Sequence, residues 1–435
     1  MRAVRIIPTL FAAVALASAL AFDACAQADP TIRERAASEK QALLDTLKSL
    51  VEIETGSRDI EGLDRLAALV AERLRALGGE VDVIEPPAAD VYRMEDTPEK
   101  IGKVVRGVFR GSGTKKILLI AHMDTVYPRG MLAKQPFRIE GPRAYGLGIA
   151  DDKQGVALIL HSVKVLKDLG FREYGTLTVL LNGDEEIGSP ASRTLLTRHG
   201  AEADATLSFE ASRVAADKLQ LATLGIASVT LKVRGRASHA GSRPEAGINS
   251  LYEMAHQVLQ MRDLSEPERG IKMNWTVANA GFTRNVIPPE ATAQADVRII
   301  RVEDYDRIES RIRERMKNQL VKDAKVELLF ERSRPPLAPT DAARGLARHA
   351  QAVYKELGLD LSIDESTEGG GGTDAAFAAL GAKGAVVERF GLRGYGAHTT
   401  ESEYVLIDSI EPRLYLVARL VMDVSRGKWK AGETR

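Results

Sequence analysis

Cysteine is almost absent: Cys25 is the single one in 435 residues. No internal disulfide can form, so stability must come from packing or from bound metal. Net charge is absent too, with 60 Lys and Arg against 60 Asp and Glu. Without a positive field to collect phosphates or anionic lipid, a nucleic-acid or membrane-surface role is excluded. No internal repeat occurs, and 44% hydrophobic with 28% charged residues is ordinary globular composition, which sets aside disorder, collagen and coiled coil. The Gly-x-Ser-x-Gly elbow of many serine hydrolases is missing as well.

Long apolar runs are confined to residues 6–22, which follow Arg2 and Arg5 and end in small residues. That is the layout of a secretory signal peptide, taken as residues 1–26, and it implies a periplasmic or secreted mature protein. Cleavage after Ala21 would keep Cys25; cleavage after Ala26 is preferred and would remove it. The run is at the short end for a membrane anchor, which needs about 20 apolar residues. Phe22-Asp23-Ala24 is a poor match to the box preceding an acylated cysteine. No later window is long and apolar enough to form a stable membrane span.

The rest of the chain is too long for one core, at roughly 150 residues per domain. Apolar residues at spacings of three and four predict helices over 38–53, 60–77 and 153–169. Short β-rich runs at 80–84, 104–109, 116–121, 177–181 and 205–209 alternate with them, the pattern of an α/β layer fold with strands buried on both faces. After about Leu224 the order becomes strand 228–233, helix 248–261, strands 273–278 and 291–299, helix 305–320 and strand 326–330. This β-α-β-β-α-β order is the ferredoxin-like unit. Beyond Pro335-Pro336 the α/β character returns, with a helix over 341–357, a glycine run at 369–372 and a strand at 385–387. The expected organisation is a catalytic domain in two parts, 27–223 and 336–435, with an α+β domain, 224–335, inserted between them.

Polar residues that can bind metal follow one strand after another. His122 and Asp124 follow the run at 117–121, Asp184-Glu185-Glu186 follows 179–183, and Glu210 follows Phe209. The carboxyl ends of strands in an open α/β sheet share a crevice, so these groups should converge, joined by Asp151 from the glycine-rich stretch 146–152. Singly, Asp124 or Asp152 reads as a turn or cap residue and Glu185-Glu186 as a solvated pair. Several like charges at the end of so apolar a strand are costly, however, unless a cation compensates them. His161, His199, His256 and His349 have no such neighbours and read as structural or surface residues.

The segments Ala121-His122-Met123-Asp124-Thr125-Val126-Tyr127, Tyr145 to Lys153, and Asp184-Glu185-Glu186-Ile187-Gly188-Ser189 resemble the signatures of the aminoacylase and glutamate carboxypeptidase family of two-zinc peptidases. Ala237-Ser238-His239-Ala240-Gly241, Asn285-Val286-Ile287-Pro288 and Gly371-Gly372-Thr373-Asp374-Ala375-Ala376 extend the match in the same order over nearly the whole mature chain. Within that family the similarity is greatest to exported bacterial glutamate carboxypeptidases.

The resemblance implies a mixed central sheet flanked by helices, an inserted domain that serves as lid and dimerisation surface, and two Zn2+ per subunit. It implies that His122 and Glu210 bind one ion, Glu186 and His398 the other, and that Asp151 bridges both. Three carboxylates against two divalent ions leave a surplus positive charge that favours hydroxide over water. Asp124 would hold the His122 imidazole, and Glu185 would be the general base. His239 is implied as an oxyanion stabiliser reaching the site of a partner subunit. Arg298 is implied as the clamp for the substrate's terminal carboxylate, aided by Asn285 and by the turn at Gly372 and Thr373, with Lys218 and Arg334 near a glutamate side chain. Four glycines stand at 369–372 where the resembled enzymes typically carry three, so the pocket there can differ. The expected function is zinc-dependent hydrolysis of the amide bond to a C-terminal amino acid, above all glutamate in folate-like or N-acyl-glutamate substrates. The alternatives are an N-acyl amino acid amidohydrolase or dipeptidase of the same family, or a non-catalytic binding protein on this fold.

Overall fold

The computed structural model describes residues 27–429; the expected leader at 1–26 lies outside the described residues. Among them no helix is long and apolar enough to cross a membrane. A central six-stranded sheet runs in the order Glu80–Ile84, Val104–Arg110, Thr176–Asn182, Lys116–His122, Ala205–Ser208, Ala385–Val387. The first two pairings are antiparallel and the last three parallel, giving the mixed sheet the resemblance implies. In the Lys116–His122 strand every residue after Lys116 is buried, as a strand covered on both faces requires.

Helices Lys40–Val51, Ile60–Ala76 and Gln154–Asp168 form where the apolar spacing placed them. In the second, Asp59 caps the first turn by accepting from the Gly62 N–H, and Leu63, Leu66, Val70 and Leu74 bury one stripe. The helix Ile410–Ser425 was not anticipated. Twelve of its 16 residues are buried, the charged Arg413 and Asp423 among them, so its burial does not follow a purely apolar stripe. A five-stranded sheet of Arg138–Glu140, Arg143–Tyr145, Tyr404–Leu406, Arg393–Tyr395 and Ser212–Arg213 also went unread. Strands of two or three residues are too short to show alternation.

The smaller unit is a four-stranded antiparallel sheet in the order Lys272–Ala280, Glu290–Ile299, Gly225–Arg234, Lys325–Arg334. Ala295, Val297 and Ile299 pack with Tyr305, Ile308 and Ile312 of the helix Asp304–Met316, while Ala291 and Ala293 pack with Met254 of the helix Ser250–Gln260. A loop from the larger layer reaches this sheet: Glu95 forms an ion pair with Lys232 at 2.6 Å, and its N–H donates to Glu331 at 2.5 Å.

Candidate active site

The strands ending at Asn182, His122 and Ser208 are neighbours in the central sheet and parallel to one another, so their carboxyl ends open on one crevice. Asp184, Glu185 and Glu186 leave the first, His122 ends the second, and Glu210 lies just beyond the third. Asp151 enters on the tight turn Ile149–Lys153, which leads into the helix Gln154–Asp168. Gly148 permits that turn: its φ is +69°, and a Cβ there would lie 2.3 Å from the Thr125 methyl. His398 comes from a loop and adopts φ +64°, a left-handed conformation uncommon for a residue with a side chain.

These residues form two groups that share Asp151. His122, Asp151 and Glu210 can offer ligand atoms to one ion, and Asp151, Glu186 and His398 to another. His122 Nε2 lies 3.0 Å from Asp151 Oδ1 and 3.4 Å from Glu210 Oε1. His398 Nε2 lies 3.2 Å from Asp151 Oδ2 and 3.1 Å from Glu186 Oε2. Imidazole nitrogen with carboxylate oxygen is a donor set that suits zinc. The other Glu186 oxygen, Oε1, is buried with no hydrogen-bond partner among the described residues, which is costly for a carboxylate unless a cation satisfies it.

The electrostatics fit the same reading. Burial opposes protonation of His122, yet Asp124, Asp151 and Glu210 outweigh it and raise its pKa well above the usual imidazole value. Hydrogen bonds to Asp151 and Glu186 push His398 up to about 11. Burial pushes Glu186 up to about 7, with Asp151 adding to the rise. Such a group of side chains draws protons to offset surplus negative charge, the deficit a divalent ion corrects.

Surrounding residues hold the ligands in place. Asp124, fully buried, accepts from the Glu185 and Glu186 N–H groups at 3.0 Å each and from the Ser57 hydroxyl at 2.7 Å, and its Oδ1 lies 3.3 Å from His122 Nδ1. Glu403 escaped the sequence reading. Its carboxylate accepts from Tyr127 Oη at 2.6 Å and from the N–H groups of Gly148, Ala150 and Asp151 at 2.9, 2.8 and 3.1 Å, so it fixes the turn that carries Asp151. A lone Glu in a loop gave no pattern to find it by.

Glu185 is buried, and Arg334 Nη2 lies 2.8 Å from its Oε1. Arg334 Nη1 lies 3.0 Å from Asp374, so this arginine, at the end of a small-sheet strand, is flanked by two carboxylates. A cleft of about 890 Å³ runs between the larger layer and the small sheet. Asp151, Glu185, Glu186, Glu210, His398 and Arg334 line it, and Gly372 and Thr373 contribute to its wall. A Cβ on Gly372 would meet the Leu224 carbonyl oxygen and Arg334 Cδ at 3.0 Å, so a side chain there would press on the backbone and on the Arg334 stem.

The remaining candidates sit differently. Arg298 is paired with Asp296 at 2.9 Å and donates to the Gly370 carbonyl at 3.0 Å. Lys218 is paired with Asp364. His239 and Asn285 are exposed on the small unit, neither lines the cleft, and they are linked through the Ala240 N–H, which donates to the Asn285 carbonyl at 2.9 Å. Of the other histidines, His161 is buried between Glu39 and Thr46, a packing role.

Residues 118–423 match the model of peptidase family M20/M25/M40. The chain is 43% identical over 421 residues to carboxypeptidase G2 of Pseudomonas sp. (strain RS-16), covering 97% of this chain and 98% of that protein. It is 29% identical over 329 residues to the succinyl-diaminopimelate desuccinylase of Maricaulis maris (strain MCS10), covering 72% of this chain and 82% of that one. Among solved structures, the aminopeptidase PepT of Bacillus cereus superposes with a TM-score of 0.72 at 20% identity, covering 88% of this chain and 98% of that one. An M20 family metallo-carboxypeptidase of Sulfolobus solfataricus gives 0.69 at 17% identity, covering 87% and 98%. The chain belongs to peptidase family M20/M25/M40.

Proposed function

We propose that the protein is a zinc-dependent carboxypeptidase that hydrolyses the amide bond to a C-terminal amino acid, glutamate above all, in N-acyl-glutamate or folate-like substrates. The observation that carries this is the pair of three-residue ligand groups sharing Asp151 beside the buried carboxylate of Glu185. The relative named carboxypeptidase G2, similar over almost its full length, supports the carboxypeptidase reading.

His122 and Glu210 would hold one ion, Glu186 and His398 the second, and Asp151 both. Those residues would hold the ions where Lewis-acid chemistry is needed, to polarise the scissile carbonyl and to lower the pKa of the attacking water. Glu185 takes the proton from the attacking water and gives it to the leaving amine as the C–N bond breaks. Arg334 holds that carboxylate in one orientation, so the base is placed before substrate arrives. Arg298, aided by Asn285 and by the turn at Gly372 and Thr373, would bind the terminal carboxylate, its planar guanidinium exchanging Asp296 and the Gly370 carbonyl for paired hydrogen bonds to substrate. Lys218 and Arg334 would have to leave Asp364, and Glu185 with Asp374, to serve a side-chain carboxylate.

The expected result is release of free glutamate from an N-acyl-glutamate, abolished by a chelator and restored by Zn2+. Retention of full activity after exhaustive chelation would refute the reading. If N-acylated neutral amino acids or dipeptides turn over faster than the glutamate compound, the amidohydrolase or dipeptidase alternative replaces it. A protein that binds such ligands without cleaving them would be the non-catalytic alternative.

We further propose export to the periplasm or medium, and a homodimer formed through the small unit. The helix Ser250–Gln260 exposes Leu251, Tyr252 and Leu259, and the edge strand Lys272–Ala280 exposes Val277. An open strand edge beside apolar side chains favours pairing with a second copy. A dimer also gives His239 a site to serve, the partner subunit's, where it would stabilise the developing oxyanion. His239→Ala should lower kcat by about a hundredfold or more. Mixing it with a Glu185 variant should restore part of the activity; no restoration from co-expressed heterodimers would remove the shared-site assignment.

A further inference from the structure

Arg213 and Arg389 are cations in the cleft that neither the ligand groups nor the terminal-carboxylate clamp uses. Arg213 sits on the short strand Ser212–Arg213, three residues past Glu210, and Arg389 follows the end of the strand Ala385–Val387 by two residues. Both line the cleft. The Arg213 side chain has no hydrogen bond or ion pair among the described residues. Arg389 Nη1 donates to the Ala211 carbonyl at 2.6 Å, which holds its guanidinium beside the Arg213 strand, while its Nε is buried with no partner. Neither makes a salt bridge among the described residues, whereas Lys218, Arg298 and Arg334 are all paired with carboxylates.

Two neighbouring guanidiniums without a counter-ion repel each other. The like charge of Arg389 is the largest influence on Arg213, and it lowers that residue's pKa. Glu210 and Asp364 act in the opposite sense, but Glu210 belongs to a ligand group and Asp364 is engaged by Lys218. The buried Glu388 next to Arg389 accepts from the Arg389 N–H and from the Thr373 hydroxyl, and it forms no ion pair with either guanidinium among the described residues. Such a pair suits an anion: the Arg213 fork can bind a carboxylate through two parallel hydrogen bonds, with Arg389 adding charge and its Nη2.

Position narrows the anion. A Cβ on Gly369 would lie 3.6 Å from Arg213 Nη2, so the guanidinium is close to the start of the glycine run, and Arg298 donates to Gly370, the next residue. Arg213 therefore flanks the same run as the clamp for the terminal carboxylate, and Arg389 lines the same cleft. We propose that Arg213 and Arg389 form a second anion subsite, which takes the side-chain carboxylate of a C-terminal glutamate or aspartate. The inference rests on the carboxypeptidase reading and assigns its preference for an acidic residue to cations that no family motif contains.

The test compares the zinc-loaded wild type with Arg213→Gln, Arg389→Gln and the double variant on an N-acyl-glutamate and its neutral isostere, the N-acyl-glutamine. In the double variant kcat/KM for the glutamate compound should fall about tenfold to a hundredfold, with the glutamine compound changed by no more than about twofold. Equal losses on both compounds, or no loss on either, would overturn the subsite. Arg213→Gln removes no hydrogen bond or ion pair among the described residues, so it keeps the test decisive even if Arg389→Gln fails to fold; alone it should lower the glutamate preference at least about threefold, and an unchanged preference would also count against the subsite. A calorimetric arm measures binding of free glutamate and free glutamine to the same proteins. If no amide is cleaved, the carboxypeptidase reading fails, yet the subsite survives if wild type binds glutamate more tightly and the double variant does not. Equal binding of both amino acids by wild type would sink it.

Discussion

Glu185→Gln should lower kcat by about a thousandfold to ten-thousandfold while the protein keeps its full metal content. The substitution preserves volume in a buried place and leaves Arg334 its second carboxylate, Asp374, so the fold has little reason to change. What is lost is an oxygen that can carry a proton between the attacking water and the leaving amine. Because Glu185 stands next to Glu186 in sequence, the measurement needs two readouts: turnover, and metal per subunit by elemental analysis. A fall in metal proportional to the fall in activity would make Glu185 a ligand or a support for one. A loss of less than about tenfold would mean that another group moves the proton.

Asp151→Ala should have the broadest effect, because Asp151 alone belongs to both ligand groups. Metal affinity is expected to fall at least about a hundredfold at both positions, with activity below detection after dialysis. Removing Glu210 instead touches one group, so metal at the other should persist. Full retention of two ions by the Asp151 variant would show that the turn Ile149–Lys153 is not where the sites meet. The hydrogen bonds from that turn to Glu403 should survive the change, since they come from backbone N–H groups rather than the deleted carboxylate. The thermal midpoint of the metal-free variant should therefore stay close to that of the metal-free wild type.

How much of this was legible beforehand depends on the range of each interaction. β-rich, largely apolar runs followed by His122, Asp184 to Glu186 and Glu210 named three strands, and such a strand that stops at charged residues is a local signal. Clean alternation over 291–299 likewise gave the small sheet, whose one buried face the structure shows. The helix Ile410–Ser425 and the short-stranded sheet beside the site carry no such signal, because the helix buries charged residues such as Arg413 and Asp423 with its apolar ones and the strands are too brief. Residue types and their order along the chain thus specified the elements, the family and the chemistry of the ligands. Only packing decided that Glu403 braces the Asp151 turn, that Arg334 is shared by Glu185 and Asp374, and that Arg213 and Arg389 line one cleft without an ion pair among the described residues. Each of those contacts joins residues far apart in the chain, and a side chain's partner across such a gap is set by how the layers stack, which no local spacing records.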